Sequence, residues 1–403
     1  MPAMLGMAVA MADPIIVYSA PHSLFSGKLR SYLRKTGQAF VERLPSHPDF
    51  GARIAPKIGR VVIPVVETPG GDILQDTTEI IDWFEARDGK IGAVPTTPLM
   101  RVLSHILEMW GDEGLLRPAM YYRWKFDAIN QPFLTLAFGR MILPQGAPAE
   151  CASIAPAVMG RMQAYLPALG ISDATAAAIE ADWRAVLAAL DAHFLRHPHV
   201  LGGRPSIADF GLMGPAYAHL GRDPVPLALM KAEGERVCRW IERMNVADAD
   251  MPEFDSYPRD FFADDALPDT LSAILKLVAA QYLPELRALT AFIANHLARH
   301  PEITEGAPVI APGAGRSLGS FQVQAGETAF SMSARHYQIW MLQRVQDAFD
   351  AAPVADQPRI RDALAAVGLA DLLTLRLPRR IERRHYTEVW GAERAIAATP
   401  TNA

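Results

Sequence analysis

Cysteine is nearly absent. Cys151 and Cys238 are the two in 403 residues, and neither falls in a motif. That excludes a disulfide framework and fits a reducing compartment. Long apolar runs are absent too: no stretch reaches the ~18 uninterrupted residues that a membrane span needs. The opening MPAMLGMAVAMADP is apolar but lacks the basic region of a secretory signal. It reads as a frayed or over-annotated start, with Met11 as a second candidate initiator. Excess charge is missing as well: a net charge of −5 gives no reason to expect nucleic acid or a membrane surface as partner. There is no internal repeat and no long low-complexity tract. A soluble, cytoplasmic protein is expected.

What is present is an ordinary globular mixture, half hydrophobic and 21% charged. The length exceeds one core and predicts two or three domains. Residues 14–88 alternate in type. PIIVYS reads as a buried strand, SGKLRSYLRKTG as an amphipathic helix stopped by Gly37, and AFVERLP as a second strand. VVIPVVETPGGDIL reads as two short strands around a PGG turn, and TTEIIDWFEARDG as a closing helix. The order is β-α-β-loop-β-β-α, a small sheet with helices packed on it. GKIGAVPTTP is a linker by composition. Residues 98–246 are helical throughout. An acidic, proline-bearing stretch, ADADMPEFDSYPRDFFADDALP, separates them from a C-terminal extension, 265–403, mainly α with a possible hairpin at SFQVQAGETAFSMS. Its first long helix is expected to bend near Pro284.

The chemistry concentrates at two helix starts. In SAPHSLFSGKLR, three serines, Ser19, Ser23 and Ser26, crowd the bend between the first strand and helix. A serine there caps the helix; its hydroxyl can equally donate to an incoming thiolate and lower that thiol's pKa. In VVIPVVETPGGDILQDTTE, Pro64 precedes an apolar strand, either as a cis Ile63–Pro64 bond that exposes the Ile63 backbone or as an edge-strand proline. Asp76 and Thr77 open the next helix, as caps or as part of an anion site. Together the two helix starts and the backbone edge would converge on one small anionic ligand.

On these motifs, residues 14–88 resemble the thioredoxin-like N-terminal domain of glutathione transferases. The family pattern Ser-Pro-Phe-x-x-Lys-Val-Arg is matched by Ser23-Leu24-Phe25-Ser26-Gly27-Lys28-Leu29-Arg30, with Leu24 for the usual proline. The family's Val-Pro pair is matched by Ile63-Pro64, and its Glu-Ser pair by Asp76-Thr77. VLGGRPSIADFGLMGPAYAHL resembles the Leu-x-Gly-x-x-Pro-Ser-x-Ala-Asp segment of the helical domain, where Ser206 and Asp209 form a structural capping box. The resemblance covers residues 14–246. It implies an α+β chain: a thioredoxin-like domain at 14–88, an all-α domain at 98–246, and an extension of unknown role at 265–403.

The resemblance also implies a glutathione-dependent transferase or lyase with a role in detoxification. Glutathione would pair with the Ile63 backbone beside Pro64. Its ammonium would bind Asp76 and its γ-glutamyl carboxylate Thr77, and Ser23 would donate to the sulfur. Tyr18 and Ser19 are rival hydroxyls. A small apolar or aromatic electrophile would lie over the first helices of the α domain, where Tyr121, Tyr122 and Trp124 offer apolar faces and Arg123 a charge; core packing is the alternative for each. A homodimer is implied, although the third unit could cover the surface used. The rival function is a non-catalytic adaptor, as among metaxins and stringent starvation proteins, which the appended C-terminal third favours.

Other signals are weaker. His193 and His197 have the i, i+4 spacing of a metal pair but no zincin glutamate, and no metal is expected. GAGRSLG lacks a phosphate-loop lysine. The basic run RLPRRIERRHY, 376–386, reads as an exposed solvated segment, and the stretch around 312–333 could form a flap.

Overall fold

The computed structural model describes residues 14–87, 89–311, 317–326 and 328–394. Met11 and most of the GAGRSLG stretch lie outside them. The first strand, β1 (Ile15–Tyr18), is short, apolar and nearly all buried. It leads through the serine bend into α1 (Leu24–Lys35), whose N-cap Ser23 has an extended backbone, φ −84° and ψ 127°. Gly37 at φ 64° turns the chain out of the helix. Then come β2 (Phe40–Arg43), a π-helical turn (Phe50–Ile54) running into α2 (Ala55–Ile58), β3 (Val65–Glu67), β4 (Ile73–Gln75) and α3 (Thr77–Arg87). The sheet order is β2-β1-β3-β4. β1 runs parallel to β2 and antiparallel to β3, and β4 is antiparallel to β3. This is the thioredoxin-like arrangement expected, with α2 an addition inside the loop.

The next stretch is helical: α4 (Pro98–Met109), α5 (Leu116–Trp124), α6 (Asp127–Ile142), α7 (Pro148–Gln163), α8 (Ala176–Phe194), α9 (Ile207–Pro215), α10 (Pro224–Glu233) and α11 (Glu235–Met244). The Asp209 carboxylate at the start of α9 accepts four hydrogen bonds, from the Ser206 N–H and hydroxyl, the Val200 N–H and the Trp240 indole.

The C-terminal extension opens with α12 (Asp269–Gln281) and α13 (Leu283–Arg299). They break at Tyr282, and Pro284 sits in the first turn of α13, where its missing N–H is tolerated. Strands β5 (Ser320–Ala325) and β6 (Thr328–Ser333) form the expected hairpin. They are followed by α14 (Tyr337–Asp350), α15 (Gln357–Ala366) and a second hairpin, β7 (Arg379–Arg384) with β8 (Thr387–Glu393). That second hairpin corrects the reading of 376–386 as a solvated segment. Arg376, Arg379, Arg380, Arg383 and Arg384 all pair with acids of the same chain. Most buried apolar side chains form one continuous cluster, from Val17 and Leu29 through Leu103 and Phe210 to Leu342 and Trp390; Tyr18, Phe50, Ile54, Ile58 and Val65 form a smaller one. The extension thus shares its core with the other two units. Among the described residues, no helix is long and apolar enough to cross a membrane.

Candidate active site at the end of the sheet

Register brings the motif residues together. Tyr18 lies opposite Val65, and Val65 opposite Gln75. Ser19 follows the first, Pro64 precedes the second and Asp76 follows the third, so all three flank one end of the sheet. The Ile63–Pro64 bond is cis, and Pro64 is buried. α1 and α3 both begin at this end. The Lys28 ammonium, fully buried, donates to Thr78 Oγ1 (3.0 Å) in α3 and pairs with Glu108 (2.8 Å) and Asp112 (2.5 Å) at and after the end of α4. Burial alone would discharge this lysine; the two carboxylates hold its pKa above the ordinary value.

The hydroxyls at the bend divide by their partners. Tyr18 is buried and donates to Glu67 Oε2 (3.2 Å). Ser19 is buried and donates to Glu42, itself clamped by Arg30. Ser26 is buried and accepts from the Ala20 N–H (3.4 Å), which shapes the bend. Ser23 is half-buried, and the one hydrogen bond of its hydroxyl among the described residues is a long acceptance from the Ser26 N–H at 3.4 Å. Its proton has no acceptor among the described residues. His22, beside it, packs on Phe138 with ring centroids 4.2 Å apart. Burial first, then the charges of Arg123, Arg222 and Arg30, push its pKa down to about 3. It is neutral and offers no proton at neutral pH.

At the other helix start, Asp76 has φ 83°, a left-handed conformation that aspartate tolerates better than most residues. Its Oδ1 accepts from the Thr78 N–H (3.0 Å), capping α3, and from the Tyr337 hydroxyl (2.9 Å) of α14. Its Oδ2 carries no hydrogen bond among the described residues. Thr77, next to it, is buried. Arg383 of β7 reaches the same helix start, with Glu79 at 3.1 Å and Gln75 at 3.0 Å.

The expected substrate face of α5 is arranged differently. Tyr121, Tyr122, Arg123 and Trp124 are all buried, and Arg123 is 2% exposed. Tyr121 donates to Glu180, Tyr122 stacks on Phe126, and Trp124 packs on Phe138. A guanidinium has five N–H donors, and Arg123 uses every one. Two go to Asp223 (2.6 and 3.0 Å), one to the Ala218 carbonyl, one to His219 Nε2 and one to the His22 carbonyl (2.7 Å). His219, kept neutral by burial and by the adjacent arginine, has Nδ1 at 3.3 Å from the Ala119 carbonyl, which leaves Nε2 as the acceptor. Arg123 therefore positions the bend before Ser23 and has no donor left for a substrate. His193 and His197 hydrogen-bond to Thr270 and Tyr257.

Tyr337 and Arg383 escaped the sequence reading because nothing local to the C-terminal third signals a contact 261 or 308 residues away. Lys28 was visible as a motif residue, but its carboxylate partners, 80 and 84 residues on, were not.

A four-stranded mixed sheet, a proline-started strand and two helix starts meeting at one end define a thioredoxin-like domain followed by a helical one. Residues 17–91 match the family model of the glutathione S-transferase N-terminal domain. The likeness to glutathione S-transferases therefore rests on this first domain. No curated protein matches the chain. Among solved structures, a glutathione S-transferase from Rhodospirillum rubrum F11 is 12% identical, aligning 64% of this chain with 97% of its own at a TM-score of 0.35. One from Methylobacterium radiotolerans, in complex with glutathione sulfonate, is 18% identical over 64% and 100%, with a TM-score of 0.34. A β-etherase from Sphingobium is 18% identical over 60% and 98%, with a TM-score of 0.40.

Proposed function

We propose that the chain binds glutathione at this end of the sheet and activates its thiol for attack on a small electrophile, as a transferase or lyase. The observation that carries this is the state of Ser23. It is the partly open hydroxyl of the bend whose proton no described residue takes, whereas Tyr18 and Ser19 are committed to Glu67 and Glu42. Ser23 donates to the glutathione sulfur and stabilises the thiolate as the thiol proton passes to solvent water. The sulfur then forms its bond to an electrophilic carbon while the leaving group departs with the electron pair. The Ile63 backbone pairs with the cysteinyl unit beside Pro64. The free Asp76 Oδ2 takes the ammonium, and Thr77, in the first turn of α3, takes the γ-glutamyl carboxylate. The chain supplies positioning and thiol activation, with no nucleophile of its own. A detoxifying role in the cytoplasm goes with this reading.

Calorimetric titration of the whole protein with glutathione and S-hexylglutathione tests it. Saturable binding supports the site; no binding at millimolar ligand removes it. The adaptor reading is favoured by one observation, the Tyr337 hydroxyl already seated on Asp76, and it would stand if neither ligand binds. For the homodimer, α3 and α4 already carry α14 through Arg344, paired with Asp82 and near Glu108. A second copy must therefore use other surfaces, and a light-scattering mass of one chain would remove the dimer.

A further inference from the structure

Arg222 stands out beside the bend because its guanidinium has no hydrogen-bonded or ion-paired partner among the described residues. It lies in the turn between a π-helical segment, Ala216–Leu220, and α10. Its Nε is fully buried. The adjacent carboxylate, Asp223, is 0% exposed, and both its oxygens are taken by Arg123. The group facing Arg222 is aromatic: its Cζ lies 5.6 Å from the Phe133 ring centroid of α6.

The place is also right for a ligand. The segment carrying Arg222 packs on the first turn of α1. A Cβ on Gly27 would lie 2.9 Å from the Ala218 Cβ and 3.3 Å from the Tyr217 ring. Gly27 donates its N–H to the Ser23 carbonyl. Tyr217 is half-buried, and its hydroxyl makes no hydrogen bond among the described residues. The Arg222 charge is felt at His22, one residue before Ser23. A partly buried cation with no counter-charge is costly and is ordinarily paired. Arg123, the arginine that sequence singled out for an acidic substrate group, is saturated, while Arg222 is not.

We propose that Arg222 binds a carboxylate on the electrophilic substrate, whose aromatic body lies against Phe133 and Tyr217 next to the thiol that Ser23 activates. This rests on the glutathione reading above. It makes Arg222 a specificity residue, selecting aromatic acids over neutral aromatics.

The test uses the whole protein and two matched conjugates, S-benzylglutathione and S-(4-carboxybenzyl)glutathione, titrated by calorimetry. The unaltered chain should bind the carboxylated conjugate about tenfold more tightly. Arg222→Gln should bring that ratio close to one, and Arg222→Lys should restore part of it. The ratio is read only from folded protein, so a simple loss of fold cannot mimic the result. A ratio of one in the unaltered chain, or an undiminished ratio in Arg222→Gln, overturns the proposal. If neither conjugate binds, the glutathione reading fails, and cinnamate observed by saturation-transfer NMR decides Arg222 separately. Loss of the cinnamate signal in Arg222→Gln supports the site; an equal signal in both proteins, or none in either, overturns it.

Discussion

Two residues carry opposite roles at the bend. Ser23 is held loosely and can give its proton; Ser23→Ala should lower turnover by about 10²-fold, the usual cost of losing one donor to a developing anion, with KM for glutathione little changed. Steady-state kinetics with any accepted electrophile check this, and undiminished turnover would take Ser23 out of the mechanism. Arg123 is the reverse, a side chain with nothing to spare. Arg123→Lys replaces a five-donor fork by a point charge and leaves the His22 carbonyl and one Asp223 oxygen short of donors. The expected loss is about 3 kcal/mol, read from denaturant midpoints. The sequence displayed Arg123 among aromatics, which made it look like a substrate ligand. Its counter-ion lies 100 residues away, and one sequence shows no such pairing. Arg222 was passed over for the complementary reason: a lone arginine followed by aspartate looks locally paired, and only the fold shows that Asp223 is spent elsewhere.

Among elements, the C-terminal hairpin shows what sequence periodicity can hide. In β7 a single apolar residue, Ile381, is buried, and charged residues, four arginines and Glu382, fill the other positions, so the alternation that marks a strand is drowned by charge. Its two-residue turn is unusual. His385 and Tyr386 have φ 50° and 68°, where glycine or asparagine is preferred. Holding bulky residues there costs on the order of 1 kcal/mol each. Tyr386 offsets this by packing against the small apolar cluster that Tyr18, Phe50, Ile54, Ile58 and Val65 form and by donating to the Ile73 carbonyl at 3.0 Å. His385 is exposed and has no such compensation. His385→Gly should therefore stabilise the chain by about 0.5–1 kcal/mol, whereas Tyr386→Phe should cost about 1 kcal/mol. Chemical denaturation distinguishes them; equal effects would mean that the turn does not anchor the first domain. By contrast the first domain was readable element by element. β1, β3 and β4 are short and mostly apolar, α1 and α3 begin at Ser23 and Asp76, and Gly37 ends α1, all of which are local signals; α2 and the π-helical turn before it are the exception.

For the molecule as a whole, four buried histidines set the response to acid. His22 and His193 have pKa values pushed down to about 3, and His199 and His219 lie well below the ordinary value, burial being the first cause in each. In the unfolded chain each titrates near 6.5. Below that pH the unfolded state takes up protons that the folded state refuses, so stability falls as pH drops from 6.5 towards 3 and is fully present above 6.5. Thermal unfolding should show a falling Tm from pH 6.5 downward; a flat Tm between pH 6.5 and 5 would contradict it. The shared core makes a further demand. With Leu342 and Trp390 in the same cluster as Val17 and Leu103, the C-terminal third should not melt by itself, and calorimetry should give one cooperative transition. Composition suggests a division into three units, but the extension's docking was not legible, because its contacts with α3 and β4 join residues some 260 to 310 positions apart.

The position of Tyr386 has one more consequence. β4 is the last strand of its sheet, and such a strand ordinarily displays free backbone groups that recruit strands from other molecules. Here an aromatic plug from the far end of the chain occupies the Ile73 carbonyl, and Leu74 and Gln75 share a cleft with the hairpin tip. The border is closed only after the β7–β8 hairpin has been made and folded. A nascent or clipped chain lacking them would present a sticky margin, so the tail serves as an intramolecular guard against cross-molecular strand pairing.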